Sequence, residues 1–126
     1  LNQGELDKAI ADYNMAIELD PQKVAAYYSR GVVYFTHGKL DEAIADFTKA
    51  VELDPQLVMA YNNRGIIYLN QGELDKAIAD YNMAIELDPA NAENYYYRGV
   101  TLEKLGRIEN AEADYAKAKE LGYEPE

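Results

Sequence analysis

The sequence predicts an all-α protein, a solenoid of antiparallel helix pairs with about seven helices in 126 residues. Three observations predict it. The stretch LNQGELDKAIADYNMAIELDP at residues 1–21 recurs letter for letter at 69–89. Between the two lies FTHGKLDEAIADFTKAVELDP at 35–55, agreeing at 12 of 21 positions and setting a period of 34 residues. Glycines and prolines keep that period in three series: Gly4, Gly38, Gly72, Gly106; Gly31, Gly65, Gly99; and Pro21, Pro55, Pro89. A fixed period of this length marks a repeat architecture.

Taken in order, residues 1–23 form an incomplete unit: the second helix (B) of a pair without its first helix (A). The inner residues Ala9, Tyr13 and Ala16 are therefore expected to lack a partner. Complete repeats follow at 24–57 and 58–91. In each, Asp-Pro (20–21, 54–55, 88–89) is expected to place an N-cap acid before a Pro at the first helical position. Helix A then ends near the Gly38, Gly72 and Gly106 series, glycines suited to the left-handed backbone that ends a helix, and Gly4 is expected in the matching turn after the last three residues of a helix A. Helix B starts at once, with Asp7, Asp41, Asp75 or Glu109 in its first turn, where the helix dipole favours an acid. Apolar residues such as Leu40, Ile44, Phe47 and Val51 keep helical spacing along it. The last repeat, 92–126, has capping character. Glu112 and Lys119 stand where the other repeats carry Ile or Val, and Gly122 can close the helix.

Small residues set the packing. Gly31, Gly65 and Gly99 sit mid-helix, where each costs about 1 kcal/mol against Ala. Their recurrence marks close approach to helix B at Ala43, Ala77 and Ala111. Arg30, Arg64 and Arg98 recur on helix A, and Asp46, Asp80 and Asp114 on helix B, so each pair is expected to form a bidentate contact.

These residues resemble the tetratricopeptide repeat pattern over the whole chain. The first full repeat carries Tyr27, Gly31, Tyr34, Ala43, Phe47, Ala50 and Pro55 at the family's signature positions, and the second Tyr61, Gly65, Tyr68, Ala77, Tyr81, Ala84 and Pro89. The third carries Tyr95, Gly99, Leu102, Ala111, Tyr115 and Ala118, with Tyr123 in place of Pro. The resemblance implies a right-handed superhelix whose concave face, lined by helix A, binds a partner peptide or helix. The residues so implied are Tyr28, Val32, Phe35, Met59, Asn62, Asn63, Ile66, Leu69, Asn70, Tyr96, Tyr97 and Val100. Gly31, Gly65, Gly99, Ala43, Ala77, Ala111, Pro21, Pro55 and Pro89 carry the structure. Some family members grip acidic chaperone tails with a carboxylate clamp. The matching positions here are Tyr28, Val32, Asn63, Glu93 and Tyr97, of which only Asn63 fits.

Composition narrows the function. A net charge of −11 disfavours nucleic acid and anionic lipid, and favours a neutral or basic protein or peptide partner. No Cys, one His and no phosphate loop leave no expected metal site, cofactor or catalytic constellation. The missing Cys and the lack of a visible signal segment favour the cytoplasm. The reading is a protein–protein interaction scaffold or adaptor, with self-association possible through the open helix at 1–20. A substrate-recruiting segment of a longer enzyme, or an engineered or recently expanded spacer array, remain as alternatives.

Overall fold

The computed structural model describes residues 2–124; Leu1, Pro125 and Glu126, at the outer ends of the first and last expected segments, lie outside them. The described residues form seven α-helices: α1 (Gln3–Leu19), α2 (Val24–Thr36), α3 (Leu40–Leu53), α4 (Val58–Asn70), α5 (Leu74–Leu87), α6 (Ala92–Lys104) and α7 (Ile108–Glu120). The chain divides within α4 into two units, Leu1–Ala60 and Tyr61–Glu126.

Glycine ends the helices as the series predicts. Gly38 has φ +75°, Gly72 +77° and Gly106 +80°. At the end of α2 the Gly38 N–H donates to Phe35 O (3.1 Å) and the Lys39 N–H to Tyr34 O (2.9 Å), the paired bonds of a Schellman motif. The same pair closes α4 at Gly72 and Glu73, and α6 at Gly106 and Arg107.

Two expectations are corrected. Asp20 is not the N-cap of α2; it is the C-cap of α1, donating its N–H to Ala16 O. Its side chain instead accepts from the Gln22 N–H (3.1 Å), as Asp54 does from Gln56 (3.1 Å). Each Asp-Pro therefore builds a turn, an arrangement Asp favours, and the next helix starts three residues after Pro. Gly4 does not break a helix: it lies inside α1, and Glu5, not Asp7, is the acid of that first turn. Asn2 caps α1, its side chain accepting from the Glu5 N–H (2.8 Å).

In the unit Leu1–Ala60 the core gathers Leu6, Ala26, Tyr27, Ala43, Phe47, Ala50 and Val51. Gly31 lets α2 lie against α3: a Cβ there would come within 2.8 Å of Phe47 Cε1. Tyr27 donates its hydroxyl to Pro21 O (3.0 Å), tying α2 to the turn before it.

In the unit Tyr61–Glu126 the helices are antiparallel. Leu69, near the end of α4, packs with Ala77, near the start of α5, while Gly65 approaches Tyr81 one turn further on. Tyr81 is the largest fully buried side chain among the described residues, and such a residue contributes about 1.5–3 kcal/mol. Gly99 repeats the close approach against Tyr115, and Tyr95 repeats the hydroxyl bond, to Pro89 O (3.0 Å).

Candidate functional site

The recurring arginines are the strongest polar feature of each unit. Arg30 Nε and Nη2 donate to Asp46 Oδ2 and Oδ1 at 2.8 and 2.6 Å. Arg64 meets Asp80 at 2.9 and 2.6 Å, and Arg98 meets Asp114 at 2.7 Å through both nitrogens. These are the bidentate pairs the spacing predicts, with nearly buried carboxylates. The hydrogen bond to its Asp raises each guanidinium pKa, against desolvation. At Asp80 desolvation prevails over Arg64 and raises the carboxyl pKa, so burial offsets part of what that pairing returns. The sequence did not reveal a third partner: Arg30 Nη1 also donates to Asn14 (2.7 Å), and Arg98 Nη1 to Asn82 (3.1 Å). One arginine thus joins three consecutive helices. The arginines hold the fold.

The face implied for a partner is best developed in the second unit. Ile66 on α4 and Tyr97 and Val100 on α6 all pack, half-buried, against Leu69, Ala77 and Tyr81. The Tyr97 ring stacks on Tyr81 (centroids 6.2 Å apart, 17° between planes) and takes Tyr96 edge-on (5.4 Å, 76°). Asn62 and Asn63 are half-buried along α4 and Asn70 is exposed. Leu69 is corrected: at 9% exposure it belongs to the core, because its side chain is turned onto Ala77 and Tyr81. In the first unit Tyr28, Val32 and Phe35 are half-buried on α2, and Met59 is exposed. Tyr28 leans on Phe47 (5.7 Å, 49°), which fixes its ring as Tyr81 fixes Tyr97. The structural residues divide by role. Ala43, Ala77 and Ala111 are buried, whereas Pro21, Pro55 and Pro89 are exposed in the turns.

The structure adds a feature beside this face. Tyr96, Tyr115 and Tyr123, with Glu103, Ala118 and Lys119, line a cleft of about 520 Å³. Tyr123 stacks on Tyr96 (4.5 Å, 26°), and Tyr115 leans on it (5.6 Å). Partial burial, aided by the Glu103 charge, raises the Tyr115 hydroxyl above its ordinary value. The one sequence signal was Tyr123 in place of Pro.

Paired helices joined by short turns, packed through glycine and tied by a repeating ion pair, define a helical repeat protein. The chain belongs to the tetratricopeptide repeat family. Family models match at residues 1–38 and 33–72 (TPR repeat), 58–91 and 81–113 (Tetratricopeptide repeat). Among solved structures it is similar to MamA, with TM-score 0.87 and 29% identity over 92% of this chain and 68% of that one. A MamA from Desulfovibrio magneticus RS-1, 23% identical, shares the fold (TM-score 0.83, 94% of this chain, 67% of that one). The first TPR of Spaghetti (RPAP3), solved bound to the HSP90 peptide SRMEEVD, matches at TM-score 0.76 and 33% identity, over 82% of each chain. No curated protein matches the sequence. Fold and family make this an all-α protein-interaction module. No helix among the described residues is long and apolar enough to cross a membrane.

Proposed function

We propose that the chain binds an extended peptide of a protein partner on the face formed by α4 and α6 of the second unit. The observation that carries the reading is the row Ile66, Tyr97 and Val100, held part-exposed over buried Tyr81. Rigid aromatic area of this kind supplies contact at low entropic cost. The amides of Asn63 and Asn70 can each donate to and accept from a peptide backbone. Tyr28, Val32 and Phe35 offer the same chemistry on α2. The RPAP3 relative, solved with a peptide, supports the mode of binding. Its acidic peptide is not the expected ligand here. Tyr97 and Glu93 occupy two of the positions where a carboxylate clamp is cationic, and the chain carries −11 charges, so a neutral or basic peptide is the partner.

The test is selection from a displayed library of random peptides against the whole chain. Enriched peptides should be neutral or basic and should weaken at least about tenfold with Tyr97→Ala or Asn63→Ala. No enrichment, or binding indifferent to both substitutions, would overturn the reading.

A further inference from the structure

Helices α5, α6 and α7 enclose a second cleft, of about 350 Å³, wholly inside the second unit. Leu102, 8% exposed, and half-buried Ile78 give it an apolar floor. Exposed Asn82, Arg107 and Asn110 and half-buried Arg98 join them in the lining. Arg98 and Leu102, one turn apart, share a side of α6 that Tyr97 and Val100 do not, so this cleft is separate from the α4–α6 face.

The 34-residue period builds the same cleft twice, with different charges. In the first unit Ile10, Asn14, Lys39 and Glu42 line a cleft of about 340 Å³, at the register of Ile78, Asn82, Arg107 and Asn110. That lining sets one ammonium, Lys39, against two carboxylates, Asp7 and Glu42. The second sets two guanidiniums, Arg98 and Arg107, against Asp114, whose two oxygens Arg98 already occupies. Arg98 spends three of its five N–H groups on Asp114 and Asn82, and Arg107 has no ion pair among the described residues. In a chain of net charge −11 this is a local excess of cations. A further hollow adjoins the cleft. Arg107 and Asn110 line both, and the hollow adds Ile108, an apolar side chain 48% exposed. Glu109 lines the hollow and not the cleft.

We infer that this surface docks a segment of a partner protein in which an acidic residue lies between two apolar ones. One apolar side chain covers Leu102 and Ile78, and the other covers Ile108. The carboxylate between them meets Arg107, and the spare N–H groups of Arg98 and the amides of Asn82 and Asn110 are donors for its remaining lone pairs. Charge complementarity selects the acid, and Asp7 and Glu42 repel it from the first cleft. Neither this proposal nor that for the α4–α6 face depends on the other.

The probe is the tripeptide acetyl-Leu-Glu-Leu-amide, titrated at neutral pH into the whole ¹⁵N-labelled chain. Saturable shifts are expected at Leu102, Arg107 and Asn110, and none at Lys39 or Glu42. Acetyl-Leu-Gln-Leu-amide, which lacks the charge, should bind about tenfold more weakly. Asn110→Glu, which gives the second cleft the first one's acid at an exposed position, should weaken the parent peptide by at least as much, while Asn110→Gln should leave it unchanged. No saturable shift at millimolar peptide, equal binding of the glutamine peptide, or indifference to Asn110→Glu would overturn the inference. So would sodium acetate binding as tightly as the tripeptide, which would assign the cleft to small anions.

Discussion

Removing the two partners of the Arg30–Asp46 pair should not cost the same. The Asp46 side chain is 5% exposed and Arg30 20% exposed. Arg30→Ala leaves a carboxylate buried against Gly31 and Phe47 with no counter-charge, a loss of about 3–5 kcal/mol. Asp46→Ala leaves a guanidinium that keeps Asn14 and can turn toward water, so the loss is that of two charged hydrogen bonds, about 1.5–3 kcal/mol. The double variant strands no charge and should cost no more than Asp46→Ala by itself. The two singles therefore overshoot the double by at least the Arg30→Ala loss, about 3–5 kcal/mol, a coupling well outside the range of independent sites. Urea unfolding followed by far-UV circular dichroism and tyrosine fluorescence measures all four proteins; coincidence of the two probes checks that the transition is two-state. Additivity within about 0.5 kcal/mol, or a larger loss for Asp46→Ala than for Arg30→Ala, would refute the reasoning. A charge swap is a poorer test. Position 46 is 4% exposed and position 30 half-buried, so the swap would carry the longer cation to the more buried site.

Other outcomes follow from the same geometry. Tyr81 is fully buried and its hydroxyl meets no partner among the described residues, while Phe47 fills the same register in the first unit. Tyr81→Phe should raise stability by about 1 kcal/mol in urea melts. Burial first, then the neighbouring Tyr97 and Asp80, raise the Tyr81 hydroxyl above its ordinary 10.0. A folded value above the unfolded one means stability that is complete below pH 10 and drains as pH rises beyond it, a component that Tyr81→Phe should delete from the alkaline titration. Gly31→Ala should destabilise by about 1 kcal/mol: overpacking against the immobile Phe47 ring costs up to about 3 kcal/mol and helix propensity returns about 1. Gly38→Ala should cost a similar amount for a different reason, because the site is open and the strain lies in φ +75°. Asn94 is 2% exposed with its Nδ2 unpartnered, where the other repeats bury Ala26 and Ala60. Asn94→Ala should therefore raise the thermal midpoint; a fall would show that the amide is held by an interaction the buried geometry does not reveal.

Much of the fold was legible because its signals are local or periodic. The Gly38, Gly72 and Gly106 series gave helix ends, because only glycine takes that backbone at no steric cost. The Arg–Asp spacing gave the ion pairs, because antiparallel helices of fixed length bring the same registers together in each repeat. That Ile66, Tyr97 and Val100 pack on one cluster follows from the same periodicity. Burial of Leu69 was not, since it depends on which neighbour the side chain leans toward. Nor was the tyrosine cleft, which exists only because Tyr123, past the end of α7, stacks back onto Tyr96.

The two identical stretches separate the contributions cleanly. By itself the sequence determined a helix in both, ending at Asp20 and Asp88 with the same C-cap bond. Tertiary surroundings decided the rest. Gln71, Gly72 and Glu73 form a turn because α4 precedes them and ends in a Schellman motif at Gly72. Gln3, Gly4 and Glu5 are helical instead, with Asn2 capping the helix through the Glu5 N–H. Tyr81 is buried and Tyr13 half-exposed because burial belongs to a pair of surfaces, and only Tyr81 has α4 across from it.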